Sequence, residues 1–343
     1  MKNKRPSIRD IAKQLNVSTT TVSFVLNGKA KEKRISEQLA EQVLKFVEEV
    51  GYKPNQIAQS LRTGKSRIIS LMVEDISNAF FSKVARLIEE AAHQRGYKII
   101  YCSTENSVDK TRELIRMFRD WQIDGYIITP PAGVEEDIQG LINDKHPVVL
   151  FDRFFPRLKT NYVIVDNFNS TYKAVNHLIS QGYSRIAFVT LESEQVQMND
   201  RLNGYKKALE DCLLPPLVKS LNFDKPAEEN KKEITSFLVN NRQLDAIVFA
   251  TNYISVWGLE AIRDITFMSP ADVGIVSFDD HDVFPLFAPP VSAVAQPVEE
   301  ISKEVINIML KQLEDPEQMN TNKHVVLPAK LIIRESSLKK KLA

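Results

Sequence analysis

The sequence predicts an all-α amino-terminal head followed by an α/β body of two doubly wound parallel-sheet lobes. Three observations carry this. At 343 residues the chain is too long for one ordinary core, so two or three domains are expected. Its net charge of +1 hides an imbalance: residues 1–67 hold 14 Lys and Arg against 6 Asp and Glu, and the remainder holds 31 against 38. Apolar residues recur at helical spacing as far as Val50, whereas from Ser66 onward short β-rich runs alternate with amphipathic stretches.

The totals narrow the function classes. Hydrophobic content of 43% and charge of 26% are those of a globular protein. No apolar run approaches the roughly 20 residues that span a bilayer, so no membrane partner is expected. The basic start "MKNKRPSIRD" lacks a following apolar segment, so no secretory signal and a cytoplasmic location are expected. Cys102 and Cys212 read as reduced thiols. The five histidines make no metal-ligand spacing, and no nucleophile–base pair or paired-acid spacing stands out; an enzyme, a metal site and a cofactor are therefore not expected.

The head builds up residue by residue. Ser7 and Asp10 form a capping-box-like start, and Ile8, Ile11, Ala12 and Leu15 define a first helix of about nine residues. "NVS" makes a turn in which Val17 plugs a gap and Ser18 caps the next helix. On a wheel, Val22, Val25 and Leu26 face the first helix. Thr20, Ser23, Phe24 and Asn27 face outward with Thr19 at the edge, a face without the charges of a solvated helix. Short hydroxyls let a helix end enter a major groove and bond phosphates or base edges. Ser18 to Asn27 therefore reads as the recognition helix of a helix-turn-helix, with Ser18, Thr19, Thr20, Thr21, Ser23, Phe24 and Asn27 facing DNA. The bland alternative is a helical hairpin with a solvated basic tail. A third helix from Ser36 points Leu39, Val43, Leu44 and Val47 inward and stops at Gly51.

After Pro54, Asn55 is placed to cap a segment over Gln56–Arg62 of about two helical turns, too short to persist unless docked. "SIRDIAKQLNVSTTTVSFVLNG" followed by "GYKPNQIAQSLRTGKS" resembles the DNA-binding head and hinge of the lac repressor (LacI/GalR) family. In that family the hinge helices of two subunits pair in the minor groove. The resemblance implies that Asn55, Ala58, Leu61 and Arg62 meet DNA there, with Leu61 as a wedge that unstacks a base step. It also puts Thr19, Thr20 and Phe24 at the principal base-reading positions. "TGKS" (Thr63–Ser66) is not a phosphate loop: Gln59 stands where glycine is needed, and the segment precedes a strand instead of following one.

In the body, "RIISLMV", "YKIIYC", "GYIITP" and "HPVVLF" read as strands, and the rhythm restarts with "YVIVDN", "RIAFVT", "DAIVFAT" and "DVGIVSF". Gly96-Tyr97 and Gly182-Tyr183 each end a helix and launch a strand, so the two units look alike. Two such lobes leave a ligand cleft at the carboxyl ends of their strands. The resemblance runs on to "LPAKLIIRESS" and implies a body like that of periplasmic sugar-binding proteins. The expected divisions are residues 1–54 for the helix-turn-helix head, 55–66 for hinge helix and linker, and 67–343 for an effector-binding and dimerisation body. Within the body the N-lobe takes about 67–166 plus 297–323 and the C-lobe about 167–296 plus 324–343.

The resemblance further implies that Asn78, Phe80, Phe81, Asp152, Arg153, Arg201, Asn252 and Asp279 contact a small effector. Aromatic faces and charged forks suit a sugar. Two plainer readings stay open: Phe80 or Phe81 as core, and Asp152 with Arg153 as a surface bridge. Relatives commonly carry aspartate where Tyr253 stands, and Gln195 and Gln197 supply no arginine; both features disfavour a nucleobase and leave a sugar or sugar phosphate. "LKKKLA" is too short for a tetramerising heptad helix, so a homodimer is expected. The reading is a transcriptional regulator, repressor in character, that binds double-stranded operator DNA under effector control. The alternative is a solute-binding module or sugar sensor without direct DNA regulation.

Overall fold

The computed structural model describes residues 6–52, 64–266, 268–315 and 321–339. The chain divides into two compact units, Met1–Ser66 and Arg67–Ala343. In the head, α1 (Ile8–Gln14) starts with a full capping box: the Ser7 backbone N–H donates to the Asp10 carboxylate at 2.8 Å, and the Asp10 N–H donates to Ser7 Oγ at 3.3 Å. A residue with positive φ, Asn16, turns the chain into α2 (Thr19–Leu26), and α3 (Glu37–Glu49) closes the trio. Ile11, Ala12, Val22, Val25 and Val43 are buried at its centre. Leu44, expected inward, is instead 50% exposed. It lies about 100° around α3 from Val43, and so small a head has room for one such stripe, flanked by Leu39, Phe46 and Val47.

The body alternates strands and helices. Its first part runs β1 (Ile68–Val73), α4 (Ala79–Gln94), β2 (Lys98–Ser103), α5 (Val108–Asp120), β3 (Gly125–Ile128), α6 (Glu135–Asn143), β4 (Val148–Phe151) and β5 (Asn161–Val165). Then come α7 (Asn167–Ser180), β6 (Ile186–Leu191), α8 (Val196–Asp211), β7 (Leu217–Leu221), α9 (Ala227–Asn240), β8 (Ala246–Phe249), α10 (Asn252–Arg263), β9 (Gly274–Phe278) and β10 (Ser292–Ala295). The chain ends through α11 (Val298–Glu314), β11 (His324–Leu327) and β12 (Lys330–Ile332).

Two six-stranded sheets result, in the orders β11-β5-β4-β3-β1-β2 and β12-β10-β9-β8-β6-β7. All pairings are parallel except β10 with β12. In the N-lobe, Val84 and Ile88 of α4 pack with Ile301, Val305 and Met309 of α11 in one cluster. Ile115 and Phe118 of α5 pack with Ile138 and Leu141 of α6 in another, so the sheet is covered twice. Gly96 and Gly182, with φ of +74° and +90°, end α4 and α7 at matching places.

The strand pairing changes the place of one strand in the rhythm, within the expected N-lobe range, and corrects one lobe boundary. "YVIV", expected to restart the rhythm, is β5 and pairs with β4 and β11 in the first sheet. His324–Leu327, expected in the C-lobe, is β11 at the edge of the N-lobe sheet. The chain therefore passes between lobes three times: at Asp166, at Gln296–Pro297 and at Pro328–Ala329.

Candidate DNA-reading surface and effector cleft

Within the head, α2 differs in charge from the two other described helices. Asp10 fills the first turn of α1 and Glu37 that of α3, but the first turn of α2 has no acid. The positive end of the α2 dipole is thus left for an outside anion. Ser18 Oγ accepts the Thr21 N–H at 3.0 Å and shares a 2.8 Å hydrogen bond with the Thr21 hydroxyl, so these two hydroxyls shape the helix start. Thr19 and Thr20 are exposed beside them. Further along, Asn27 Nδ2 donates to the Ser23 carbonyl at 2.5 Å. Phe24 is half-buried, and the Lys33 ammonium stands 5.6 Å from its ring centroid. Asn55, Ala58, Leu61 and Arg62 lie outside the described residues.

In the body, Asn78, Phe80, Phe81, Asp152, Arg153, Arg201 and Asp279 line one cleft between the lobes. Each sits just past a strand or near a helix start, as the fold requires. Asn78 caps α4 by accepting the Phe80 N–H at 2.9 Å. Phe80 and Phe81 touch edge to face at 5.1 Å; both are largely buried, so they serve core and cleft together. Asn252, buried at the start of α10, lines the adjoining space instead.

Charge in the cleft is arranged in two knots. Arg153 is 4% exposed and donates to Glu74 at 2.7 Å, to Asp152 at 3.2 Å and to Asn106 at 2.8 Å. Burial opposes its charge, but Glu74 and Asp152 outweigh that and hold the guanidinium protonated. The Asp152–Arg153 bridge is therefore real, and buried instead of superficial. Arg201 donates to Asn167 at 2.8 Å and to the Ala250 carbonyl at 2.7 Å, with its guanidinium 3.6 Å from the Phe278 ring centroid. Asp279 approaches Arg201 at 4.0 Å and accepts from Gln296 at 2.6 Å. Burial pushes the Asp279 carboxyl up, against the pull of Arg201 and Gln296. Across the mouth, Lys83 of α4 reaches Asp282 at 2.7 Å, and Gln195 reaches Asn106 at 3.4 Å.

Residues 7–55 match bacterial regulatory proteins of the lacI family, and residues 175–337 match the periplasmic binding protein-like domain. A curated relative, the HTH-type transcriptional regulator RegA of Clostridium saccharobutylicum, is 30% identical over 97% of this chain and 99% of its own. The lac repressor dimer bound to operator and the anti-inducer ONPF has the same fold, with a TM-score of 0.84 at 20% identity over 98% of this chain and all of that one. A LacI family regulator from Enterococcus faecium with bound ribose has a TM-score of 0.71 at 24% identity, over 80% of this chain and all of that one. This chain belongs to the lacI family.

As a lacI-family transcriptional regulator, it carries several cleft residues that motif reasoning passed over. Glu74 follows β1 in "LMVED" and was findable from the rule that ligands gather at strand ends. Gln296 follows β10, a strand whose small residues "SAVA" gave no β signal. Asn106 sits in a positive-φ turn after β2 and links the Arg153 knot to Gln195 at the start of α8. Phe223, after the equally inconspicuous strand β7, lines the space beside Asn252. Among the described residues no helix is long and apolar enough to cross a membrane.

Proposed function

We propose that this chain is a cytoplasmic repressor whose homodimer grips a pseudo-palindromic operator and whose grip is set by a small sugar-like effector between the lobes. Two α2 helices would enter successive major grooves, read by Thr19, Thr20 and Phe24. The paired Leu61 side chains would wedge the minor groove between them. Arg153, Arg201, Asp152 and Asp279 would bind effector hydroxyls, with Phe80 and Phe81 against the apolar side of its ring.

The observation that carries this reading is the reach of the buried charge network. Asn106 of the N-lobe ties Arg153 to Gln195 of the C-lobe, so a ligand that breaks into the network alters how the lobes meet. A ligand shifts the equilibrium only through different affinity for two lobe arrangements, and a network spanning the cleft supplies that difference. The ribose held by the Enterococcus faecium protein supports a sugar-like effector.

Footprinting of genomic DNA by the purified protein, with and without a panel of sugars, tests the reading. A protected palindromic site whose occupancy changes with a sugar is the expected result. Protection of no site under any condition sinks it and favours a sugar sensor without DNA binding. Sedimentation equilibrium should give a mass of two subunits.

A further inference from the structure

The outward face of α2 lacks the side chains that most base readout requires. From Ser18 to Asn27 the sequence is "STTTVSFVLN", without arginine, lysine, glutamine or an acid. Guanine is read by the donors of Arg or Lys, cytosine by Asp or Glu, and adenine by Asn or Gln. Asn27 is the one residue of these types in the stretch, and its amide folds back on its own helix. It donates to the Ser23 carbonyl at 2.5 Å and to Ser23 Oγ at 3.3 Å. The Ser18 and Thr21 hydroxyls likewise bond one another at 2.8 Å.

Methyl groups and a ring remain on that face. Thr19 and Thr20 are exposed, and each carries a methyl beside its hydroxyl. A hydroxyl both donates and accepts, so it can bond any base edge and distinguishes none. Phe24 follows Thr20 by one turn, about 6 Å along the axis and close to two base-pair steps. Its ring is half-buried yet lies outside the cluster of Ile11, Ala12, Val22, Val25 and Val43 that holds the head together. Core packing therefore does not account for a phenylalanine at this place. Lys33, whose ammonium stands 5.6 Å from the ring centroid, follows α2 together with exposed Lys29, Lys31 and Arg34. Such cations suit the phosphates beside a groove, contacts that position a protein without reading sequence.

One direct code is left, apolar contact with the C5-methyl of thymine, and Thr and Phe are suited to it. We propose that α2 selects operator half-sites by thymine methyl groups in the major groove, with Phe24 as the specificity-determining residue. The inference rests on the operator-binding reading above and adds which base α2 accepts. A phenyl ring bonds neither O4 of thymine nor N4 of cytosine, so the methyl decides. Cytosine, which lacks it, is refused, whereas 5-methylcytosine is accepted in thymine's place.

Selection of sites from random duplex DNA by the full-length protein supplies the operator for the test. Fluorescence anisotropy then compares it with copies in which single thymidines are replaced by deoxyuridine, which lacks only the methyl. At one or more positions of each half-site affinity should fall about fourfold, as expected for one buried methyl-sized group. At one of these positions Phe24→Ala should bind the thymidine and deoxyuridine copies equally, a coupling that a general effect on DNA stiffness would not produce. Wild-type protein should bind 5-methylcytidine there more tightly than cytidine. Equal wild-type affinity for thymidine and deoxyuridine at every position overturns the inference, as does a loss that persists undiminished in Phe24→Ala. Either result leaves operator binding standing. Selection that enriches no site overturns the operator reading and the inference together. The wild-type comparisons need no variant, so they decide even where Phe24→Ala fails to fold.

Discussion

Asp152 of the N-lobe and Asp279 of the C-lobe occupy the same place in their two sheets. Each follows the third strand from its sheet's β11 or β12 edge, and each has φ of +68°. Each donates its backbone N–H to the neighbouring strand, Asp152 to Val163 at 3.1 Å and Asp279 to Val294 at 3.0 Å. A left-handed backbone at a non-glycine residue costs of order 1–3 kcal/mol and gathers at functional sites. Here the twist aims two carboxylates from opposite lobes into one cleft, each beside its own arginine.

Asp279→Asn keeps the side-chain shape and tolerates the same φ, so it isolates the charge. Effector affinity should fall about tenfold or more, since hydrogen bonds to charged groups contribute about 1.5–3 kcal/mol. The pH dependence has a defined sign. Burial raises the Asp279 carboxyl in the folded chain above the unfolded value of about 3.9. The folded state therefore binds the proton more readily, and stability declines as pH climbs from about 4 through the raised value. Melting curves of the wild type minus the variant should show that decline and then level off.

Arg201→Ala removes the guanidinium from between Asn167, Ala250 and the Phe278 ring. Leaving Asp279 buried without its cationic neighbour should destabilise the body by roughly 3 kcal/mol. At a temperature where the variant is folded, operator binding should persist while no sugar changes it. Retained effector response in a mobility-shift titration would remove Arg201 from the site.

Gly204 sits one turn beyond Arg201 on α8, and a Cβ there would fall 2.3 Å from the Phe168 carbonyl oxygen. The absence of a side chain lets α8 close on α7, which is what brings Arg201 within reach of Asn167. Gly204→Ala should lower the melting temperature and weaken effector binding in step. A variant as stable as the wild type with unchanged sugar affinity would break the link between helix spacing and Arg201.

In the head, Phe24→Ala should cost about 1–3 kcal/mol of operator affinity and relax discrimination among operator variants. Lys33→Ala should weaken all DNA comparably and reduce the salt slope by about 0.9 per lost phosphate contact. Mobility shifts at several salt concentrations separate the two effects.

Much of this was readable from residue order because the signals were local. The Ser7–Asp10 box, the Ser18 cap and the inward set Val22 and Val25 need only a few neighbouring residues, and the structure has all of them. Asp152 after "VVLF" and Asp279 after "GIVSF" were implied by the family resemblance, and each directly follows a strongly apolar strand, where this fold gathers its cleft residues. What escaped depended on distant pairing. His324–Leu327 joins the first sheet only through β5, some 160 residues earlier, and nothing in its own four residues says which sheet it will meet. Gln296 was missed because β10 is too small and polar to look like a strand.

The three passages between lobes bear on how the protein can be made. The ribosome must release β11 and β12 before either half of the body has its full set of strands, because these last two segments border different sheets. The three described helices of the head end by Glu49 and can assemble long before. Neither half can be excised as a contiguous gene fragment and expected to fold, so biosynthesis yields a DNA-gripping module first and its regulator only at the very end.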